Sequence, residues 1–127
     1  MQEVQQVSEA ELDIMKIIWG KVGSALYADI MEQLQLQGRT WKKNTVITLL
    51  SRLVDKKMLK TNKLGRKNEY RALVTEENYQ MNQIKMFVDK VYEGDVTSLV
   101  STLIQNNMIS ANEYEELKRF WEGEKHE

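Results

Sequence analysis

Asn44, Thr45, Thr48 and Arg52 recur at helical spacing, and together they offer an amide, two hydroxyls and a guanidinium. Amides and hydroxyls can hydrogen-bond to base edges, and Arg pairs with guanine or phosphate. Such a set suits the polar face of a helix that enters a major groove. At about 100° per residue, turning Val46, Leu49, Leu50 and Leu53 inward puts Asn44, Thr48, Ser51 and Asp55 on the opposite face. Thr45 and Arg52 then flank one edge of that face and Ile47 the other. Taken alone, the pattern would serve an ordinary amphipathic helix with a solvated face equally well.

The charge around the helix separates these readings. Residues 39–71 hold eleven Lys/Arg against two acids, a net of +9, in a chain whose total is −1. The flanks compensate, with −4 over residues 1–38 and −6 over residues 72–127. A cationic block of this density is suited to a polyanion. Within it, Lys63-Leu64-Gly65-Arg66-Lys67 places three cations around a glycine. A solvated turn could look the same, but a β-ribbon that grips phosphates needs this composition. Lys56, Lys57, Lys60 and Arg71 are expected to extend the same basic surface.

Several elements must position these groups. Ser8-Glu9-Ala10-Glu11 is a capping box that opens a helix carrying Leu12, Met15, Ile18 and Trp19, which Gly20 is expected to stop. A second helix is expected from Ser24, with Ala25, Ile30, Met31 and Leu34 inward before Gly38, and a third from about Lys43 to Lys57. Leu59–Lys63 and Asn68–Val74 flank the Gly-containing turn as a hairpin. Three helices followed by a hairpin is the chain order of a winged helix.

Beyond the hairpin the period is helical throughout. Thr75-Glu76-Glu77 starts one helix, Gly94 breaks it, Asp95 caps the next, and Ser110-Ala111-Asn112-Glu113 forms a second capping box. The charged tail after Gly123 is expected to fray. The fold class is therefore mainly α: a winged helix-turn-helix of three helices plus a β-hairpin wing over residues 1–75, then a C-terminal helical dimerisation region over 76–127. The later helices are too short to bury both faces of their stripes. Phe87, Val88, Val91 and Tyr92 of the first stripe are expected to find a second copy of the chain. Leu99, Val100, Leu103 and Ile104 of the second, and Leu117, Phe120 and Trp121 of the third, share that expectation.

Composition closes other routes. There is no Cys, so disulfides, thiolate metal sites and thiol switches are excluded. The single His is His126, and carboxylate pairs such as Glu76/Glu77 and Glu115/Glu116 sit where surface charges usually sit. An enzyme is not expected, nor a cofactor, nor a resident metal. No apolar run reaches the roughly 18 residues of a membrane span, and no signal-peptide pattern opens the chain. A soluble, cytoplasmic protein is expected. Trp41, just before the third helix, is expected to anchor the core rather than stack on a sugar–phosphate.

With these residues in view the chain resembles the bacterial penicillinase and methicillin-resistance repressor family, to which copper-transport repressors are related. The resemblance runs from about Ser8 to Leu117. It is carried by Glu9-Ala10-Glu11 leading to Ile17-Ile18-Trp19, by Trp41 with Thr45-Val46, and by Thr48-Leu49-Leu50-Ser51-Arg52-Leu53. Gly65-Arg66 with Tyr70, Val91-Tyr92 and Ser98-Leu99-Val100 add to it. It implies a homodimeric winged-helix repressor on a palindromic operator, released when a membrane-bound sensor-protease pathway leads to cleavage of the dimerisation region. The family's cleaved Asn-Phe pair aligns with Thr102-Leu103, so that pair is absent. The cysteine cluster of the copper branch is also absent, and an Arg on the recognition helix of resistance repressors is replaced by Ile47.

The expectation is a sequence-specific repressor on double-stranded operator DNA. Asn44, Thr45, Ile47 and Thr48 would read bases, and Lys42, Lys43, Arg52, Lys63, Arg66 and Lys67 would hold phosphates. The main rival is a winged helix used for protein–protein contact, its basic face meeting an acidic partner.

Overall fold

Ser8 opens α1 (Glu9–Gly20) through a reciprocal cap: its Oγ accepts the Glu11 N–H at 3.2 Å, and Glu11 Oε1 accepts the Ser8 N–H at 2.9 Å. The computed structural model describes residues 6–125, so His126 and the end of the tail expected to fray lie outside the described residues. Gly20 does not stop α1 but belongs to its last turn. The reversal comes later, where Val22 N–H donates to the Trp19 carbonyl at 3.2 Å and Gly23 N–H to that of Ile18 at 3.0 Å. Two successive left-handed residues, Val22 (φ 61) and Gly23 (φ 90), make the turn.

Ser24 is not a helix start. Ser24–Leu26 is a short strand, β1, and α2 (Tyr27–Leu36) begins only after it, without a side-chain cap. The cause is non-local. β3 (Lys67–Ala72) presents an open edge, and β1 takes it antiparallel, with Ala25 opposite Tyr70 and both buried. β2 (Leu59–Leu64) covers the other edge of β3, giving the order β1-β3-β2. The β2–β3 turn is the two residues Gly65-Arg66, of which only Gly65 has positive φ (66), as a type II′ hairpin requires.

α3 (Lys43–Asp55) ends two residues earlier than its sequence suggests. Lys57 adopts φ 65, its N–H donates to the Val54 carbonyl at 3.0 Å, and Met58 N–H donates to the Leu53 carbonyl at 2.9 Å. Leu53 and Met58 are both buried, so this left-handed turn carries its usual apolar clasp and leads from α3 into β2. The core under these elements joins Ile14, Met15 and Ile18 of α1, Ile30 and Leu34 of α2, and Val46, Leu50 and Leu53 of α3 to Leu59 and Tyr70 of the sheet.

α4 spans Glu76–Val91. The chain divides into two compact units, one ending at Asn82 and the other beginning at Gln83, so the division falls within α4 rather than at its start. The first turns of α4 contribute Tyr79 to the core of the first unit, where its ring lies 5.6 Å from that of Trp19. The Trp19 indole N–H donates to the Val74 carbonyl at 2.8 Å and ties the approach to α4 in place.

The second unit continues with α5 (Val96–Gln105) and α6 (Ala111–Phe120), followed by a π-helical turn over Trp121–Lys125. Asp95 caps α5, accepting the Ser98 N–H at 3.1 Å, and Ser110 with Glu113 forms the second capping box. No residue of α5 or α6 is buried.

Candidate nucleic-acid interface

The apolar stripe of α3 is buried residue for residue, and Asn44, Thr45, Ile47, Thr48, Ser51 and Arg52 all remain exposed. Asn44, Thr45, Thr48 and Arg52 line one open depression of about 330 Å³, with Leu49 beneath them. The amide, the two hydroxyls and the guanidinium therefore meet on one surface. Lys42 is the N-cap of α3 and Lys43 its first residue, with no acid in the first turn. The positive end of the helix dipole thus carries two cations and its first N–H groups have no side-chain cap. Such an end is costly in water and favourable beside a phosphate.

At the hairpin tip Lys63, Arg66 and Lys67 are exposed. Among the described residues, neither these three nor Lys42, Lys43, Arg52, Lys57 and Lys60 form an ion pair.

The basic block is not one continuous surface, and this corrects the expectation for Lys56. Its Nζ turns inward, donating to Glu11 Oε1 at 2.6 Å and to the Gln6 carbonyl at 2.9 Å. Glu11 is 1% exposed. Burial alone would raise its carboxyl, but the bonds from Lys56 and from the Ser8 N–H outweigh burial and hold it below its usual 4.5. The interaction joins residues 45 positions apart, and neither residue announces it locally.

Lys60 and Arg71 also differ from expectation. The register sets them directly opposite each other on the sheet face that carries Lys67, whereas Lys63 shares the other face with Leu59 and Tyr70. Arg71 Nη2 lies 3.5 Å from Glu69, and Arg39 is taken up by Asp13 at 2.8 Å. The Arg39 guanidinium also stands 5.5 Å over the Trp41 ring. Trp41 is half-buried against the core, as an anchoring role requires.

In the second unit, Phe87, Val91, Val100, Ile104, Leu117, Phe120 and Trp121 are 41% to 60% exposed. Tyr92, Leu99 and Leu103 are half-buried, and the Phe87 and Tyr92 rings lie 5.8 Å apart. Val88, at 5% exposure, is already buried within the single chain and has little left to give a partner. The Thr102-Leu103 bond lies inside α5, and the Thr102 carbonyl accepts both the Asn106 N–H at 3.1 Å and the Asn106 amide at 2.8 Å.

Among the described residues no cluster of His, Cys, Asp or Glu could hold a metal ion, and no helix is long and apolar enough to cross a membrane.

Known proteins fit this geometry. The chain is 32% identical over 125 residues to the penicillinase repressor of Bacillus licheniformis, covering 98% of this chain and 96% of that one. It is 34% identical over 113 residues to the methicillin resistance regulatory protein MecI of Mammaliicoccus sciuri, covering 89% and 90%. The solution structure of the DNA-binding domain of the repressor BlaI superposes with a TM-score of 0.53 at 35% identity, over 62% of this chain and 94% of that one. The Bacillus licheniformis BlaI monomeric form in complex with the blaP half-operator superposes with a TM-score of 0.52 at 33% identity, over the same shares. A profile of the penicillinase repressor family matches residues 7–123, and the chain belongs to that family of winged-helix repressors, which are not enzymes.

Proposed function

We propose that this protein represses transcription as a homodimer, each protomer placing α3 in the major groove of one half-site of a palindromic operator. The exposed polar face of α3, beside cations that have no acidic partner, is the observation that carries this reading. The likeness to BlaI solved on a half-operator supports it. Asn44, Thr45, Ile47 and Thr48 face base edges, while Lys42, Lys43, Arg52, Lys63, Arg66 and Lys67 hold phosphates. The apolar stripes of the second unit hold the dimer, which makes the second half-site effectively intramolecular and adds on the order of 10²-fold to affinity.

Release runs through the same dimer. Anything that separates the second units returns each protomer to half-site affinity. A membrane sensor-protease pathway acting on the cytoplasmic protein would achieve this by cleaving near Thr102-Leu103. That turn of α5 must open first, because the Thr102 carbonyl is doubly hydrogen-bonded.

The test compares a selected operator with random duplex. Asn44→Ala or Thr48→Ala should cost roughly 1–3 kcal/mol on the operator and much less on random DNA, with an unchanged melt. Equal losses on both DNAs would place base reading elsewhere. Failure of the parent protein to bind duplex DNA in a salt-dependent way would favour the protein-contact rival.

A further inference from the structure

Ile47 is the one residue on the exposed face of α3 whose side chain can make no hydrogen bond. It stands 39% exposed, three residues after Asn44 and four before Ser51, so these three side chains are neighbours on the helix surface. The core does not claim it, since Val46, Leu49, Leu50 and Leu53 are the buried residues of this helix. As a β-branched residue outside the buried stripe it also lowers helix propensity slightly and is only partly covered in return.

In a major groove the situation changes. Guanine, adenine and cytosine present donors and acceptors, which the sec-butyl side chain of isoleucine would leave unpaired. Thymine alone adds an apolar group, the 5-methyl. The stiffness of Ile47 at χ1 then becomes an advantage, because little side-chain freedom is lost on contact.

We infer that Ile47 is a specificity-determining residue, selecting a thymine in each half-site by packing against its 5-methyl group. The inference rests on the groove placement of α3 proposed above and deepens it by naming the chemical group that is recognised.

The experiment uses the full chain and duplexes selected from a randomised library, with each thymine then replaced in turn by deoxyuridine. That replacement keeps base pairing and removes only the methyl. For the parent protein, one thymine per half-site should show a loss of about fourfold, the effect of one buried methyl. For Ile47→Ala the same replacement should change nothing, and Ile47→Val should retain the sensitivity. Ile47→Ser, which likewise removes both γ-carbons and should abolish the sensitivity, gives a second comparison should the alanine variant fold poorly.

Uracil sensitivity that is identical in the parent and in Ile47→Ala would overturn the inference and leave the repressor reading standing. So would a selected operator in which no thymine methyl matters. A library that yields no preferred sequence would overturn the groove placement itself, and this inference with it.

Discussion

The two units of this protein solve the problem of apolar surface differently. In the first, three helices and a small sheet bury Ile14, Met15, Ile18, Leu34, Leu50 and Leu53 completely. The polar groups nearest that core have partners, as the Trp19 indole and Glu11 show. In the second, α5 and α6 carry equally regular stripes and bury no residue at all. Charge follows the same division, with the basic block of residues 39–71 in the first unit and a net of −4 over residues 83–127. The first unit is completed by its own chain, while the second carries apolar surface suited to another protein. Its acidity keeps that surface from competing for DNA phosphates.

Matched substitutions in the two units should break this contrast if it is wrong. Leu53→Ala, in the core of the first, should cost about 2–5 kcal/mol at any protein concentration. Leu117→Asp with Phe120→Asp, on the stripe of α6, should leave the melt of the first unit in place. Sedimentation should show the dimer converted to monomer, with operator affinity reduced on the order of 10²-fold. A parent chain that sediments as a monomer at micromolar concentration would mean that the stripes serve something other than self-association.

Within the first unit the Glu11–Lys56 pair tests how far its polar groups depend on internal partners. Lys56→Met should destabilise by roughly 3 kcal/mol, the lower end for breaking a buried pair, because Lys56 itself stays partly exposed. Acid should act through the same contact. The Glu11 carboxyl titrates below its usual 4.5 in the folded state, so in acid the unfolded chain binds the extra proton. The stabilisation is complete above about pH 4.5 and is lost as pH falls through the folded value. Denaturant midpoints between pH 3 and 6 should therefore fall less steeply for Glu11→Gln than for the parent. Equal slopes would remove Glu11 from the account of acid sensitivity.

Arg66 sharpens the comparison on the side of charge. Arg66→Ala should weaken operator and random DNA by similar factors and lower the salt slope by about one unit. Between 50 and 200 mM salt the gap between variant and parent should then narrow by roughly three- to fourfold. If the variant instead altered base preference, the hairpin tip would be a base reader.

What the sequence revealed was local. The capping boxes at Ser8 and Ser110, the stripe of α3 and the Gly65 turn each depend on residues within four positions of one another. What it concealed was long-range. Strand β1 exists because β3, more than forty residues later, has an open edge, and three residues are too few for a periodic signal. The division within α4 is hidden for a similar reason: helical spacing runs unbroken through Asn82 and Gln83. The candidate site was legible as a composition, with eleven cations in one block, but not as a surface. Only tertiary pairing separates Lys56 and Arg39, whose acidic partners are distant in sequence, from the cations left to meet an anion.

The smallest expected effects lie where helices end in left-handed residues that are not glycine. Val22 (φ 61), Lys57 (φ 65) and Asn107 (φ 59) each occupy the same position, just past the cap of α1, α3 and α5. A left-handed L-residue costs about 1–2 kcal/mol, and glycine removes that cost while adding about 0.5–1 kcal/mol of unfolded-chain entropy. The steric term should win where the side chain is branched and contributes no burial. Val22 is 97% exposed, so Val22→Gly should stabilise most, by about 1 kcal/mol. Lys57→Gly should gain roughly 0.5 kcal/mol, and Asn107→Gly nothing measurable, because Asn tolerates this region. Lys57→Gly should also weaken random-DNA binding slightly, separating the residue's strain from its charge. Thermal melts rank the three, and an order with Asn107 first would show that backbone strain is not what limits these turns.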